Sequence, residues 1–268
     1  MMKLSILSSY FGPEDDSLPR LAKIGYRRVE VNKAQETKLA ADKIRTLAAD
    51  CGLEIHSVMN WDPGLPDADP KVRSQAAGGL RRNIEWAAAL GAKVLESFPG
   101  WRGAREEREA ALGFLAEEYH KAAEVAEKAG VTIALEPVSY GETNLINTLE
   151  QGAAMVQRVN QPALRLMGDT HHMFVCERDP PRALRDVAPW LIHMHFSDSN
   201  RQPPGLGQMD LVAVVRALAE IGYQGSLSLS EMARAPDAET AARAAYHFCT
   251  GLIEICEVRE SVIHQAAR

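Results

Sequence analysis

The chain reads as a single (β/α)8 TIM barrel over residues 1–268, an α/β fold predicted by three observations. A helical stretch rich in Ala and Leu, then a glycine, then a short β-rich run recurs along its length. Eight candidate strands follow one another about 32 residues apart, close to the length of a βαβ unit. No linker-like or low-complexity segment divides the 268 residues. An open doubly wound sheet would need a G-x-G-x-x-G turn after the first strand, where this chain has LSSYFGPED.

The recurring element appears as LAKIGYRRVEV, LAADCGLEIHSV, AAALGAKVLES, AEKAGVTIALE and LAEIGYQGSLSLS. Its glycines, Gly25, Gly52, Gly91, Gly130 and Gly222, fall where a helix would end in a left-handed residue. Strands are predicted near residues 3–9, 27–32, 53–59, 92–98, 131–136, 164–169, 191–197 and 226–231, with amphipathic helices over 38–51, 72–90, 106–130, 149–159 and 211–221. In the last of these, Leu211, Val214, Val215, Leu218 and Ile221 share one face. Glu106, Glu107 and Glu109 suit the start of the 106–130 helix, where a negative charge meets the positive end of the dipole. The C-terminal stretch from Ala241 has helical spacing and either closes the barrel or contacts a neighbour.

Composition narrows the class of function. Apolar residues make up 46% and charged residues 25%, enough for a full soluble core. With 30 Lys+Arg against 36 Asp+Glu the formal charge is −6, which argues against a nucleic-acid partner. No apolar run approaches the roughly 18 residues of a membrane span, and the start of the chain turns acidic where a signal peptide needs an apolar stretch. Cys51, Cys176, Cys249 and Cys256 are scattered, so a reducing, cytoplasmic location is expected.

In a barrel the chemistry gathers at the C-terminal strand ends. The fifth strand ends TIALEPV with Glu136; the sixth ends LMGDTHH with Asp169 and, three residues on, His172; the seventh, LIHMHFSDSNR, carries His193 and His195 on one face; the eighth, SLSLSEM, ends in Glu231. Each alone has a plain explanation, such as a helix N-cap for a carboxylate or a core hydrogen bond for a histidine. Together, Glu136, Asp169, His195 and Glu231 bring three carboxylates to one rim, which repel unless a cation or protons intervene. Three oxygen donors and one imidazole suit Mn²⁺, or Mg²⁺ or Co²⁺, better than structural zinc. Arg201, in a loop with Pro203, Pro204, Gly205 and Gly207, offers a fixed cation for substrate oxygens. Glu142 is a second carboxylate beyond the fifth strand. Trp61 and Trp101 are candidate pocket walls, while His56 and Glu30 are placed on the same rim as substrate-binding or supporting residues.

At these positions the chain resembles the xylose-isomerase-like superfamily of sugar isomerases and epimerases, and within it the D-tagatose/D-psicose (ketose) 3-epimerase group. The resemblance follows strand order throughout and is sharp from about residue 131 onward, where LEPV, D-x-x-H, H-x-H, Asn200–Arg201 and PPGLG match in order. It implies Glu136 and Glu231 as metal ligands and acid/base pair, Asp169 and His195 as ligands, and Glu142, His172 and Arg201 as substrate contacts. The implied reaction is epimerisation at carbon 3 through a metal-stabilised enediolate, on a sugar or sugar phosphate, by a homodimer or homotetramer. Aldose–ketose or hydroxypyruvate-type isomerisation and inosose-type dehydration are alternatives on the same barrel. A DNA-repair endonuclease would need more imidazoles on the early strands and a basic groove, and a non-catalytic polyol binder would lack part of the set. Against the family the loop has Ser197–Asp198–Ser199 in place of a Gly-Glu-Cys type sequence, and the helices after the first four strands look short.

Overall fold

The computed structural model describes residues 2–32, 39–101, 103, 107–230 and 232–266. Eight parallel strands close in chain order: β1 (Lys3–Leu7), β2 (Arg28–Asn32), β3 (Glu54–Met59), β4 (Val94–Ser97), β5 (Thr132–Leu135), β6 (Leu164–Asp169), β7 (Leu191–His195) and β8 (Ser226–Leu229). The barrel is sealed by β1 on β8, in register from Lys3↔Ser226 to Ile6↔Leu229. Around it lie α1 (Glu14–Ile24), α2 (Ala41–Asp50), α3 (Pro70–Leu90), α4 (Arg108–Ala129), α5 (Leu149–Val159), α6 (Thr170–Cys176), α7 (Pro180–Asp186), α8 (Leu211–Glu220) and α9 (Ala238–Ala266).

Local chemistry sets the helix ends. Asp69 caps α3 by accepting from Lys71 N at 2.8 Å, with Pro70 preset at the first helical position. Thr148 and Asp210 cap α5 and α8 in the same way. The five glycines of the recurring element all take positive φ, from +67° to +129°, and turn each helix back toward its strand. On α8 the apolar face is buried as the spacing requires, through Leu211, Val214, Val215 and Leu218.

Two features depart from the sequence reading. α3 and α4 are long, at 21 and 22 residues. Gly78 and Gly79 lie inside α3, within the helix expected over 72–90, where tertiary packing outweighs their weak helix propensity. Two short helices, α6 and α7, stand where one was expected after β6. The C-terminal helix α9 packs against α8, α1 and β1, which completes the ring of helices.

The main apolar core lies between strands and helices, around side chains with no exposed surface such as Leu18, Leu21, Ile44, Leu80, Ile84 and Leu115. A second, small apolar group, Val94, Ala134 and Met167, is separate from it. Side chains alternate along a strand, so the residues two further on are Glu96, Glu136 and Asp169. The three carboxylates therefore stand on a dry floor inside the barrel mouth.

The opposite sector of the interior is polar. Arg28 binds Glu54 through two contacts of 2.8 and 3.0 Å and donates to Ser226 Oγ at 2.8 Å. His56 belongs here and not at the rim. It is the third residue of β3, its carbonyl accepts from Lys93 just before β4 begins, and its ring lies 5.8 Å from that of His193 and 4.0 Å from Glu54. The strand runs three residues beyond His56, further than a rim position allows. Burial, with His193 and Arg28 beside it, lowers the His56 pKa to about 4.

Two tests follow from this packing. Leu80→Ala is expected to destabilise the fold by about 2–5 kcal/mol, and Asp69→Ala by about 1 kcal/mol, read from urea midpoints. Equal losses would mean that the cap and not the buried face holds α3. His56 is depressed in the folded state relative to its unfolded value near 6.5, so its contribution is present above that pH and is lost as pH falls toward about 4. His56→Gln should flatten the acid limb of stability against pH by up to about 3 kcal/mol; an unchanged limb would assign the acid sensitivity elsewhere.

Candidate active site

Strand ends build the site. Glu136 directly follows β5, tied by its N–H to Ser97 O at 3.1 Å. Asp169 is the last residue of β6 and His195 the last of β7, and the two are register partners. All three side chains are buried, as is Glu96 near the end of β4.

Asp169 divides its two oxygens. Oδ1 caps α6, accepting from His171 N at 2.7 Å and His172 N at 3.2 Å. Oδ2 faces Arg201 Nη1 at 2.7 Å and His195 Nδ1 at 3.7 Å. The plain N-cap explanation and the site explanation for this carboxylate are therefore both realised, one on each oxygen.

His195 is the hub. Its Nε2 lies 2.9 Å from Glu30 Oε1 and 3.6 Å from Glu96 Oε2, while Nδ1 lies 3.2 Å from Glu136 Oε1. Glu30 also meets His193 Nε2 at 2.8 Å and accepts from Ser57 Oγ at 2.6 Å. A hydrogen bond from Nε2 to Glu30 leaves Nδ1 turned to Glu136 and Asp169, the arrangement in which a carboxylate orients a metal-binding imidazole.

The electrostatics are those of a crowded anionic pocket. Burial pulls the His195 pKa down, but the charges of Glu30, Glu96 and Glu136 outweigh it and hold it well above the usual histidine range. Burial opposes ionisation of Glu30, Glu136 and Asp169, yet His195 beside the first two and Arg201 beside the third keep them below the usual carboxylate range. Glu96 goes the other way: burial and the Glu136 charge push its pKa well up.

Glu136 Oε1 and Glu96 Oε2 are buried without completing a hydrogen bond. Such oxygens are costly unless something positive fills the space between them. Ligand-capable atoms of Glu96, Glu136 and His195 lie within 4.8 Å of one another, as do those of Glu136, Asp169 and His172. A divalent cation fits this donor set of mostly oxygens with one imidazole, and would replace the proton on Nδ1.

The remaining site residues line the approach. Arg201 Nη2 lies 3.1 Å from His172 Nε2, and Ser139 N donates to His172 Nδ1 at 3.2 Å. Glu142, on the strand-five loop, is 3.8 Å from His172 Nδ1 and partly exposed. Trp61 stacks on Phe98 at 3.7 Å between centroids, with Trp101 6.4 Å from the same ring. Glu231 lies outside the described residues. The structure thus brings Glu136, Asp169, His195, His172, Arg201 and Glu142 together, and leaves His56 out. Sequence reasoning missed Glu96, although the one charge in VLESF stands as Glu136 does in TIALEPV.

Known proteins agree with this architecture. The chain is 28% identical over 242 residues to a ketose 3-epimerase of Arthrobacter globiformis, covering 82% of this chain and 79% of that one. It is 36% identical over 118 residues to a D-psicose 3-epimerase of Ruminiclostridium cellulolyticum, a stretch covering 44% of this chain and 40% of that relative's length. A solved L-ribulose 3-epimerase superposes with a TM-score of 0.89 over 98% of both chains at 25% identity. D-psicose 3-epimerase from Clostridium cellulolyticum H10, solved with D-tagatose, gives 0.84 over 94% of this chain and 99% of that one at 22% identity, a likeness of fold. The resemblance read from the motifs is borne out. Residues 18–250 match the family described as xylose isomerase-like TIM barrels, and the chain belongs to that family.

Proposed function

We propose that the chain is a divalent-metal-dependent ketose 3-epimerase. The observation that carries this reading is the buried convergence of Glu136 and Asp169 on His195 Nδ1, at 3.2 and 3.7 Å, with no completed hydrogen bond at Glu136 Oε1. The 3-epimerases among its relatives supply the substrate class.

Glu136, Asp169, His195 and Glu231 would hold the ion, with Mn²⁺ the best match to mostly oxygen donors. Bound there, a divalent cation supplies positive charge next to a carbonyl oxygen that becomes negative during reaction. The chain's own groups do the rest. Glu136, ionised at neutral pH, takes the proton from carbon 3 of the ketose, and Glu231 returns one to the opposite face of the flat enediolate. Arg201 and His172 hold the sugar oxygens, and Glu142 accepts from a hydroxyl at the mouth. The apolar floor of Val94, Ala134 and Met167 keeps bulk water from the developing charge. Proton transfer between carbons 1 and 2 would instead give aldose–ketose isomerisation, which product chromatography distinguishes.

Glu136→Gln and Glu231→Gln are each expected to lower turnover of D-psicose or another ketose by about 10²–10⁴-fold with the circular dichroism spectrum unchanged. Full activity in both would remove the pair as acid and base. Chelation should abolish epimerisation and lower the melting temperature, and Mn²⁺ at about 100 times its Kd should restore roughly 2.7 kcal/mol of stability. A chelated protein with unaltered melting and turnover would overturn metal dependence.

A further inference from the structure

The loop from β7 to α8 has a centre of its own. Asp198, three residues beyond His195, is buried to 1% exposure. Its Oδ1 accepts from the backbone N–H of Ser199 at 2.7 Å and of Met209 at 3.1 Å, and its Oδ2 from Gly205 N at 2.8 Å. Gly207 N–H adds to the same cradle, and together these dipoles overcome burial and keep the carboxyl below its usual pKa. A Cβ at Gly207 would collide with Asp198 Oδ1, so the carboxylate occupies the space that only a glycine leaves.

The backbone of Asp198 closes the turn that carries Arg201. Asp198 N donates to Gln202 O at 3.0 Å, and Arg201 N donates to Asp198 O at 3.0 Å. Arg201 sits at φ +57°, a left-handed conformation that a long side chain rarely adopts unless its surroundings impose it. From there its guanidinium reaches Asp169 and His172, and its carbonyl accepts from Ala233 N at 2.7 Å, beyond β8. One buried carboxylate thus gathers both ends of the loop whose middle delivers the only arginine found against Asp169 among the described residues.

We propose that Asp198 is a positioning residue, whose carboxylate folds residues 199–209 so that Arg201 is held in one conformation against Asp169 and His172. Its consequence for turnover rests on the epimerase reading of Arg201. Its structural content does not, and the two are tested apart.

In the full chain loaded with Mg²⁺, hydrogen exchange at Ser199, Gly205 and Met209 should speed by about tenfold or more in Asp198→Asn, while α8 and α9 keep their protection. The NMR signals of the Arg201 guanidinium, distinct while both of its nitrogens are held, should merge in the same variant. Unchanged exchange together with unchanged arginine signals overturns the proposal, whatever the activity. With D-psicose and Mn²⁺, Asp198→Asn should lower kcat/KM by about 10- to 100-fold. In an Arg201→Ala background the same substitution should cost less than about twofold; losses that multiply independently overturn the positioning role. A parent chain inactive on every ketose would sink the epimerase reading and leave the exchange and arginine signals to decide this one. Should Asp198→Asn fail to fold, Gly207→Ala, which displaces the carboxylate by contact, is expected to give the same pattern.

Discussion

Charge compensation inside the barrel mouth is the constraint on which the rest of this structure depends. Glu30, Glu96, Glu136 and Asp169 are all buried around one imidazole, His195. Removing so much negative charge from water is tolerable only if each oxygen finds a proton, a dipole or a cation. The chain uses all three. Burial and the Glu136 charge favour the protonated form of Glu96, Asp169 takes two N–H groups and a guanidinium, Glu30 takes two imidazoles and a hydroxyl, and Glu136 faces His195 Nδ1 without a completed hydrogen bond at Oε1. That incomplete set of hydrogen bonds makes the site chemically useful, since an ionised carboxylate facing one imidazole has room to take up a proton.

The barrel shapes this pocket by simple periodicity. Strand alternation sets Val94, Ala134 and Met167 one layer below the carboxylates, so the site has an apolar floor and a polar mouth. On the other side of the interior, Arg28, Glu54, His56 and Ser226 form a network of their own at the opposite end of the strands. His193 is the link between the two regions, touching Glu30 above while its ring stands near His56.

How much of this was legible depended on the kind of information each residue carries. The recurrence of helix, glycine and strand reveals the barrel, because a positive-φ residue after a helix has a sequence signature of its own. Strand-end polar residues in the second half reveal Glu136, Asp169 and His195, because an acid or imidazole after an uncharged run stands out. Height inside the barrel is different. Alternation reports the face of a strand and not the layer, so His56 was read as a rim residue and Glu96 was passed over. The helix expected over 72–90 is continuous through Gly78 and Gly79, because the periodicity that buries Leu80 and Ile84 outweighs the weak propensity of the two glycines.

Asp169 is answerable to two masters at once: one of its oxygens starts a helix and the other faces the reaction space. The helix it starts carries His172, so the acid, the helical turn and the imidazole form one rigid corner. Drift at that rung would have to be repaired in two places simultaneously. Such a corner is a natural anchor for the loops on either side of it.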